Sequence, residues 1–358
     1  MRILYDGYWW VDGPFSNRQV MKSLLDSWLQ AFPEDDIAVV VPRQHLDQAR
    51  AERPDLTFAA AALRPHGISV MIEYGRLAKR WGADAVFTHN YTARHSRSFV
   101  FIQDLLFVDY PQWFTWLERV YFAPMRFAHR AKMVFASSAA EGDRIHRILG
   151  EKAQVVPIGL GLDMSLFETP GVAPRSDILP HRFALSVGRL NVRKNLAMVL
   201  RVASGSSEIS GSCPLIVVGE VDGRVAQIPP EAQPAVRDGS IMLLGSVSVE
   251  ELVWLYSNAR LFVYLSLAEG FGLPPIEAAS LGSAVLVSDI GVFRETLGSA
   301  ATYVDATDDG KVKAAFDEMM RLEWAPGQRA GAVTSTREAH SWRLVTRRLH
   351  RAILEACE

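Results

Sequence analysis

Cysteine is scarce: only Cys213 and Cys357 occur in 358 residues, far apart and without CxxC or metal-ligand spacing. That excludes a disulfide-stapled secreted scaffold or a zinc-ribbon domain, and suits a reducing compartment. Long apolar runs are missing as well. The amino terminus, MRILYDGYWWVDG, holds no stretch of signal-peptide length, and nothing elsewhere approaches the ~20 apolar residues of a membrane span. A soluble cytoplasmic protein is expected, with peripheral contact at the inner face of a membrane left open. Charge of one sign is not in excess either: 38 Lys and Arg stand against 40 Asp and Glu. No overall field exists to recruit nucleic acid, which is not expected as a partner, and any bound anion needs a local cluster.

The 49% hydrophobic and 22% charged composition is that of an ordinary globular chain, and the length suits two α/β domains better than one. Short β-rich runs alternate with helical patterns throughout. The strands expected are Arg2–Tyr5, Ile37–Val41, Asp84–Phe87, Ser98–Ile102 and Met133–Ala136, then Phe183–Val187, Leu215–Val218, Ile241–Leu244, Leu261–Tyr264 and Ala284–Val287. Between them Val20, Leu24, Leu25, Trp28 and Leu29 recur at helical spacing, as do Leu196, Val199, Leu200 and Ala203. This is the pattern of parallel sheets with right-handed crossovers. The proline- and glycine-bearing segment Glu168–Pro180 marks a junction, giving a first domain over 1–170 and a second over 171–339. A last helix over 340–358, with Trp342, Val345, Leu349 and Ile353 in phase, can pack back on the first domain.

In such sheets ligands sit beyond the carboxyl ends of the strands. One loop there reads SVGRLNVRKNL: a strand ends at Gly188, Arg189 follows, and Lys194 and Asn195 open a helix. Two cations thus meet a helix amino terminus, an arrangement able to neutralise a departing diphosphate, although solvated loop cations look the same. A second loop reads AEGFGLPPIEAASLG. Glu269 precedes a glycine turn, the amides of Gly270, Phe271, Gly272 and Leu273 are open to sugar or phosphate oxygens, and prolines start a helix that carries Glu277. One carboxylate can reach a hexose and the other a ribose diol; singly, each is also an ordinary capping or first-turn acid.

Taken in order, these motifs resemble the retaining glycosyltransferases of family 4, and the likeness continues through Ser288–Asp308 with Glu295. The resemblance implies a GT-B fold, in which two Rossmann-like domains face each other across a cleft. It also implies a nucleotide-diphosphate sugar as co-substrate, a glycan or lipid-linked acceptor, retention of configuration, and no cofactor or metal ion; no Asp-x-Asp motif stands in a suitable loop. On the same ground Arg189 and Lys194 hold the phosphates, Glu269 contacts the transferred sugar, Glu277 binds the ribose, and GDP-mannose is the leading donor.

The first half resembles the family in patches. FIQDLLFVDYPQWF places Gln103 where a histidine is usual, followed by Asp104, which is equally suited to capping a turn. Glutamine can position a hydroxyl but carries no proton charge near neutrality. Gly13, Ser16 and Asn17 stand in the place of a loop that approaches donor phosphates, while Asn17 can alternatively cap the next helix. Tyr8, Trp9 and Trp10 fit either a wall for an acceptor sugar or loop packing, and His89, Asn90 and Tyr91 are further acceptor candidates. The run Trp113–Lys132 reads as a core helix interrupted at Pro124, with a lipid-facing helix as the sharper alternative. A sugar-nucleotide epimerase and a catalytically silent scaffold are the rival functions.

Overall fold

The computed structural model describes residues 1–188, 191–219, 228–322 and 330–358. Its contacts divide into two compact units: Met1–Asp109, Trp116–Gly161 and His340–Glu358 form one, and Tyr110–Thr115 with Leu162–Ala339 the other.

The first unit is built on β1 (Arg2–Asp6), β2 (Asp36–Pro42), β3 (Thr57–Ala61), β4 (Ala85–His89), β5 (Ser98–Ile102), β6 (Met133–Ala136) and β7 (Val155–Pro157). They pair in parallel in the order β3-β2-β1-β4-β5-β6-β7. Ile3 lies opposite Ile37 on one side and Ala85 on the other. Helices cover both faces of such a sheet, so its inner strands are near-continuous apolar runs such as IAVVV and FVFI, and these residues are buried. β3 and β7 were not anticipated from the sequence. One is mostly alanine and the other is three residues long and ends on proline, so neither makes a long run of strand formers, and both lie at an edge where little is demanded.

The helix Trp342–Cys357 lies against the helix Phe15–Ala31 in this unit, with Thr346 Oγ1 donating to Ser27 Oγ at 2.9 Å. His350 stacks on Phe32 at 3.5 Å between ring centroids, and its Nε2 lies 3.0 Å from the buried Asp35 carboxylate. The core helix expected over Trp113–Lys132 is not formed. A short helix, Trp116–Phe122, gives way at Pro124 to the 3-10 turns Ala123–Arg130. Tyr121, Phe122, Met125 and Ala128 serve the inner side, leaving Trp116, Leu117 and Val120 at 65%, 61% and 63% exposure.

The second unit repeats the plan with β8 (Ala184–Val187), β9 (Leu215–Val218), β10 (Ile241–Gly245), β11 (Leu261–Tyr264), β12 (Ala284–Ser288) and β13 (Thr302–Val304). Their parallel order is β10-β9-β8-β11-β12-β13. The helix Leu196–Ser204 buries Leu196, Val199, Leu200 and Ala203 against Leu215, Val217, Leu261 and Val263, as its spacing predicts. In each sheet the winding direction reverses beside its first strand, between β1 and β4 and between β8 and β11. A crevice at the carboxyl ends of the strands opens at such a reversal. The loops that follow β8 and β11 are therefore neighbours, and they are the two loops singled out in the sequence.

Replacing His350 by Ala removes a ring stack and leaves the buried Asp35 short of a partner, which should cost roughly 2 kcal/mol. Calorimetry should record a lower melting temperature; an unchanged one would mean that the terminal helix does not support the first unit.

Candidate active site in the second unit

The segment after β8 turns tightly before its helix begins. Asn191 Oδ1 accepts from the Lys194 amide at 3.2 Å, a single 3-10 turn spans Val192–Lys194, and Asn195 takes a left-handed conformation with φ 53°. This aims the Lys194 side chain across β8 to the end of β11. There its ammonium donates to Glu269 Oε1 at 2.6 Å and to the Tyr264 hydroxyl, and it lies 4.8 Å from the Tyr264 ring centroid. Arg189 lies outside the described residues.

Glu269 is the centre of this cluster. Its Oε1 also accepts from Ser266 Oγ at 2.6 Å and from the Tyr264 hydroxyl at 3.0 Å, and its Oε2 accepts from Arg193 Nη1 at 2.6 Å. Arg193 further donates to the Ala268 carbonyl at 3.1 Å, while its own carbonyl accepts from the Leu267 amide at 2.9 Å. Burial would raise the Glu269 carboxyl, but the charges of Arg193 and Lys194, with the hydrogen bonds, outweigh it and hold the group at about 2. Arg193, Tyr264 and Ser266 were not singled out in the sequence. Arg193 differs from any loop cation only by its place next to Lys194.

Beyond Glu269 the chain closes the glycine turn. Gly272 has φ +91°, and a Cβ there would lie 2.5 Å from Phe293 Cε1, so both backbone and space demand glycine. Gly270 and Phe271 are buried, and Leu273 opens the helix Leu273–Ser280, whose second and third positions are Pro274 and Pro275. Glu277, inside this helix, accepts a hydrogen bond from the Tyr256 hydroxyl at 2.9 Å. Burial pushes its carboxyl up to about 7, opposed by that hydrogen bond and reinforced by the charge of Asp163. Lys194 and Glu269 are thus brought into direct contact, and Glu277 follows one helical segment on with an opposite electrostatic bias.

In the first unit the candidates resolve differently. Gly13 has φ +124°, and a Cβ would lie 2.4 Å from Trp9 Cδ1. Ser16 and Asn17 fall inside the first turn of Phe15–Ala31, whose cap is Pro14, so Asn17 does not cap that helix. Trp9 and Trp10 are buried; Trp10 packs on Phe58 at 5.3 Å and donates to Glu52 at 3.1 Å, which settles it as loop packing. The Gln103 carbonyl accepts from Ser137 Oγ at 2.7 Å, and Asp104 Oδ1 accepts from the Leu106 amide at 3.2 Å as a turn former. Nothing in the sequence singles out Asp6, the last residue of β1. Its buried carboxylate accepts from the Tyr74 hydroxyl at 2.8 Å and from the amides of His89 at 3.0 Å and Tyr8 at 3.1 Å, with His66 Nε2 at 2.8 Å.

Residues 177–334 match the family described as glycosyl transferases group 1. This segment contains the whole Lys194–Glu269–Glu277 constellation. Over this segment the chain is similar to the group 1 glycosyl transferases. Among curated relatives, the O-antigen chain mannosyltransferase RfbU of Salmonella typhimurium is 38% identical over 108 residues, 30% of either chain. The GDP-mannose:cellobiosyl-diphosphopolyprenol alpha-mannosyltransferase of Xanthomonas oryzae is 28% identical over 59% of this chain and 52% of its own. The match thus spans between about a third and a half of the length of these relatives. Two solved structures cover essentially all of this chain. The lipopolysaccharide outer core galactosyltransferase WaaB in its apo form has a TM-score of 0.70 at 14% identity, over 99% of both chains. Anabaena HepE in complex with UDP-glucose has a TM-score of 0.67 at 15% identity, over 99% of this chain and 100% of its own. At such identities the likeness speaks for fold alone, and the fold is GT-B: two parallel-sheet α/β domains in one chain.

Glu269 and Glu277 should leave opposite signatures in stability against pH. Glu277, raised from 4.5 to about 7, keeps its proton in the folded chain where the unfolded chain has lost it, so its contribution falls as pH rises through that window. Glu269, lowered from 4.5 to about 2, stabilises above 4.5 and loses this as pH falls toward 2. Glu277→Gln is expected to melt above the parent at pH 8 and no higher than it near pH 4.5. Glu269→Gln strands two cations and should cost roughly 3 kcal/mol at pH 7, a deficit that shrinks in acid. Melting curves across pH check both, and parallel curves for all three proteins would contradict the assignment.

Proposed function

We propose that the chain is a retaining hexosyltransferase that moves a mannose-like sugar from a nucleoside-diphosphate donor to a glycan or lipid-linked glycan, without cofactor or metal ion, at the cytoplasmic face of a membrane. The observation that carries this is the convergence of Lys194 and Arg193 on Glu269 at the reversal point of the second sheet, within the segment shared with group 1 glycosyl transferases. The names of the relatives, O-antigen chain mannosyltransferase and GDP-mannose-dependent mannosyltransferase, favour GDP-mannose as donor.

Breaking a sugar–phosphate bond develops negative charge on the departing diphosphate, so fixed cations beside it lower the barrier by electrostatic preorganisation. Lys194 and Arg193 are already fixed: Glu269, Tyr264 and the Ala268 carbonyl hold their head groups before any ligand arrives. In this reading Arg189 joins them, and the amides of Gly270 to Leu273 bind remaining phosphate or sugar oxygens. Glu269 has both oxygens committed to its neighbours, so it aligns the cations as well as the hexose. Glu277, ionised above about pH 7, accepts from the ribose diol. This reading assigns no carboxylate as a nucleophile. Retention then follows front-face attack, with a donor phosphate oxygen taking the acceptor proton, and the protein contributes position and charge. Gln103 orients an acceptor hydroxyl without taking its proton.

Lys194→Ala should lower kcat at least ~100-fold with GDP-mannose, the magnitude for one lost electrostatic contact, when assayed below its own melting temperature, which falls because the buried Glu269 loses a charge partner. A variant that turned over at the parent rate would refute the assignment. In a thermal-shift panel, GDP and GDP-mannose should raise the melting temperature, because ligand binds only the folded chain. A response to UDP compounds alone would replace the donor, and full activity in a chelator is expected.

A further inference from the structure

The first unit presents a surface that its own fold leaves uncovered. A groove of about 530 Å3 is walled by Pro65, Ile68, Leu117, Val120, Tyr121 and Pro124. On the same two chain segments Ile72, Trp116 and Phe127 are also exposed. Ile68, Ile72, Trp116, Leu117, Val120 and Phe127 are left exposed by the core. It takes Tyr121 against Tyr91 at 6.1 Å, Phe122 against Phe107 at 5.6 Å, and the buried Met125 and Ala128. Apolar residues scattered singly over a surface are ordinary, but a contiguous set around an apolar groove marks a contact.

Charge identifies the kind of contact. The exposed cations interleaved with these positions are Arg64, Arg119, Arg126 and Arg130, the last with its guanidinium 4.9 Å from the Phe127 ring centroid. The two segments carry the carboxylates of Glu73 and Glu118. Glu73 is tied to the amides of Ala62 at 3.0 Å and Leu63 at 2.8 Å, and Glu118 is half-buried in the groove wall. The patch is therefore cationic although the chain as a whole carries −2. A symmetric pairing of two copies would set these arginines against one another. An anionic lipid interface instead offers phosphates to the arginines and an acyl boundary to the apolar side chains. The helix Trp116–Phe122 has seven residues, about 10 Å of length, so it lies in an interface and does not cross it. Among the described residues no helix is long and apolar enough to cross a membrane.

We propose that residues 63–72 and 116–130 dock this chain on an anionic bilayer, with Trp116, Leu117 and Val120 entering the acyl boundary and Arg64, Arg119, Arg126 and Arg130 meeting lipid phosphates. The proposal is independent of the transferase reading, because vesicle binding is measured without sugar transfer. The full chain should co-sediment with vesicles of phosphatidylglycerol and phosphatidylethanolamine. It should bind at least ~10-fold more weakly to phosphatidylcholine, or to the anionic vesicles in roughly 0.5 M salt. The double variant Leu117→Glu, Val120→Glu should lose at least ~10-fold in partitioning with an unchanged melting temperature. Should that variant fail to fold, Arg119→Glu with Arg126→Glu makes the same test from the charge side. A parent protein that stays in the supernatant, or folded variants that bind like the parent, would overturn the proposal. So would a concentration-dependent dimer in size-exclusion chromatography that Leu117→Glu dissolves, which would give the face to a second copy.

Discussion

Everything in the second unit turns on one buried carboxylate. Glu269 gathers an ammonium, a guanidinium and two hydroxyls, and those partners come from the two loops that flank the reversal of the sheet. Removing a carboxylate from water is costly unless charge and hydrogen bonds compensate. Here both oxygens are compensated, and each partner is fixed in return. The Lys194 and Arg193 head groups thus hold their positions through an interaction internal to the domain, so the proposed donor would meet cations whose reorganisation is already complete.

That carboxylate can exist only because the strands beneath it are placed first. β8 and β11 are neighbours although the chain makes two further strands between them, and this order brings Lys194 to a residue seventy-five positions away. The apolar strands and the buried face of Leu196–Ser204 hold the order by burying surface on both sides of the sheet. The first unit uses the same strand order with different chemistry at its reversal. Asp6 there draws donors from β4, from the segment carrying His66 and Tyr74, and from its own loop, where the second unit places cations. One architecture therefore positions a carboxylate ringed by two cations in one unit and an aromatic-lined carboxylate in the other, where His66 stacks on Tyr8 at 4.4 Å.

Much of this was legible before any coordinates. Strand periodicity located ten of the strands, because the buried strands of a parallel sheet cannot be other than continuous apolar runs. The glycine at 272 and the prolines after it were legible for a local reason, since φ and the missing amide are properties of single residues. Edge strands β3, β7 and β13 escaped because strands at the margin carry no such burden. The segment 113–132 was misread for a related reason: apolar residues on every side of a short helix look like core, and only the packing of Tyr121 and Phe122 inward reveals that Trp116 and Leu117 face out.

By itself the sequence determined the alternation of strands and helices and the loops at the strand ends that carry the candidates Lys194, Glu269 and Glu277, since each depends on spacing within a dozen residues or on the character of a single residue. Tertiary structure alone decided which side chains meet. That Arg193 turns onto Glu269, that Tyr264 and Ser266 complete its shell, and that Asp6 collects His66 and Tyr74 sixty and sixty-eight residues away follow from strand order and burial. Such pairings have no periodicity, because they are fixed by the requirement that a carboxylate removed from water find its partners wherever the fold has brought them.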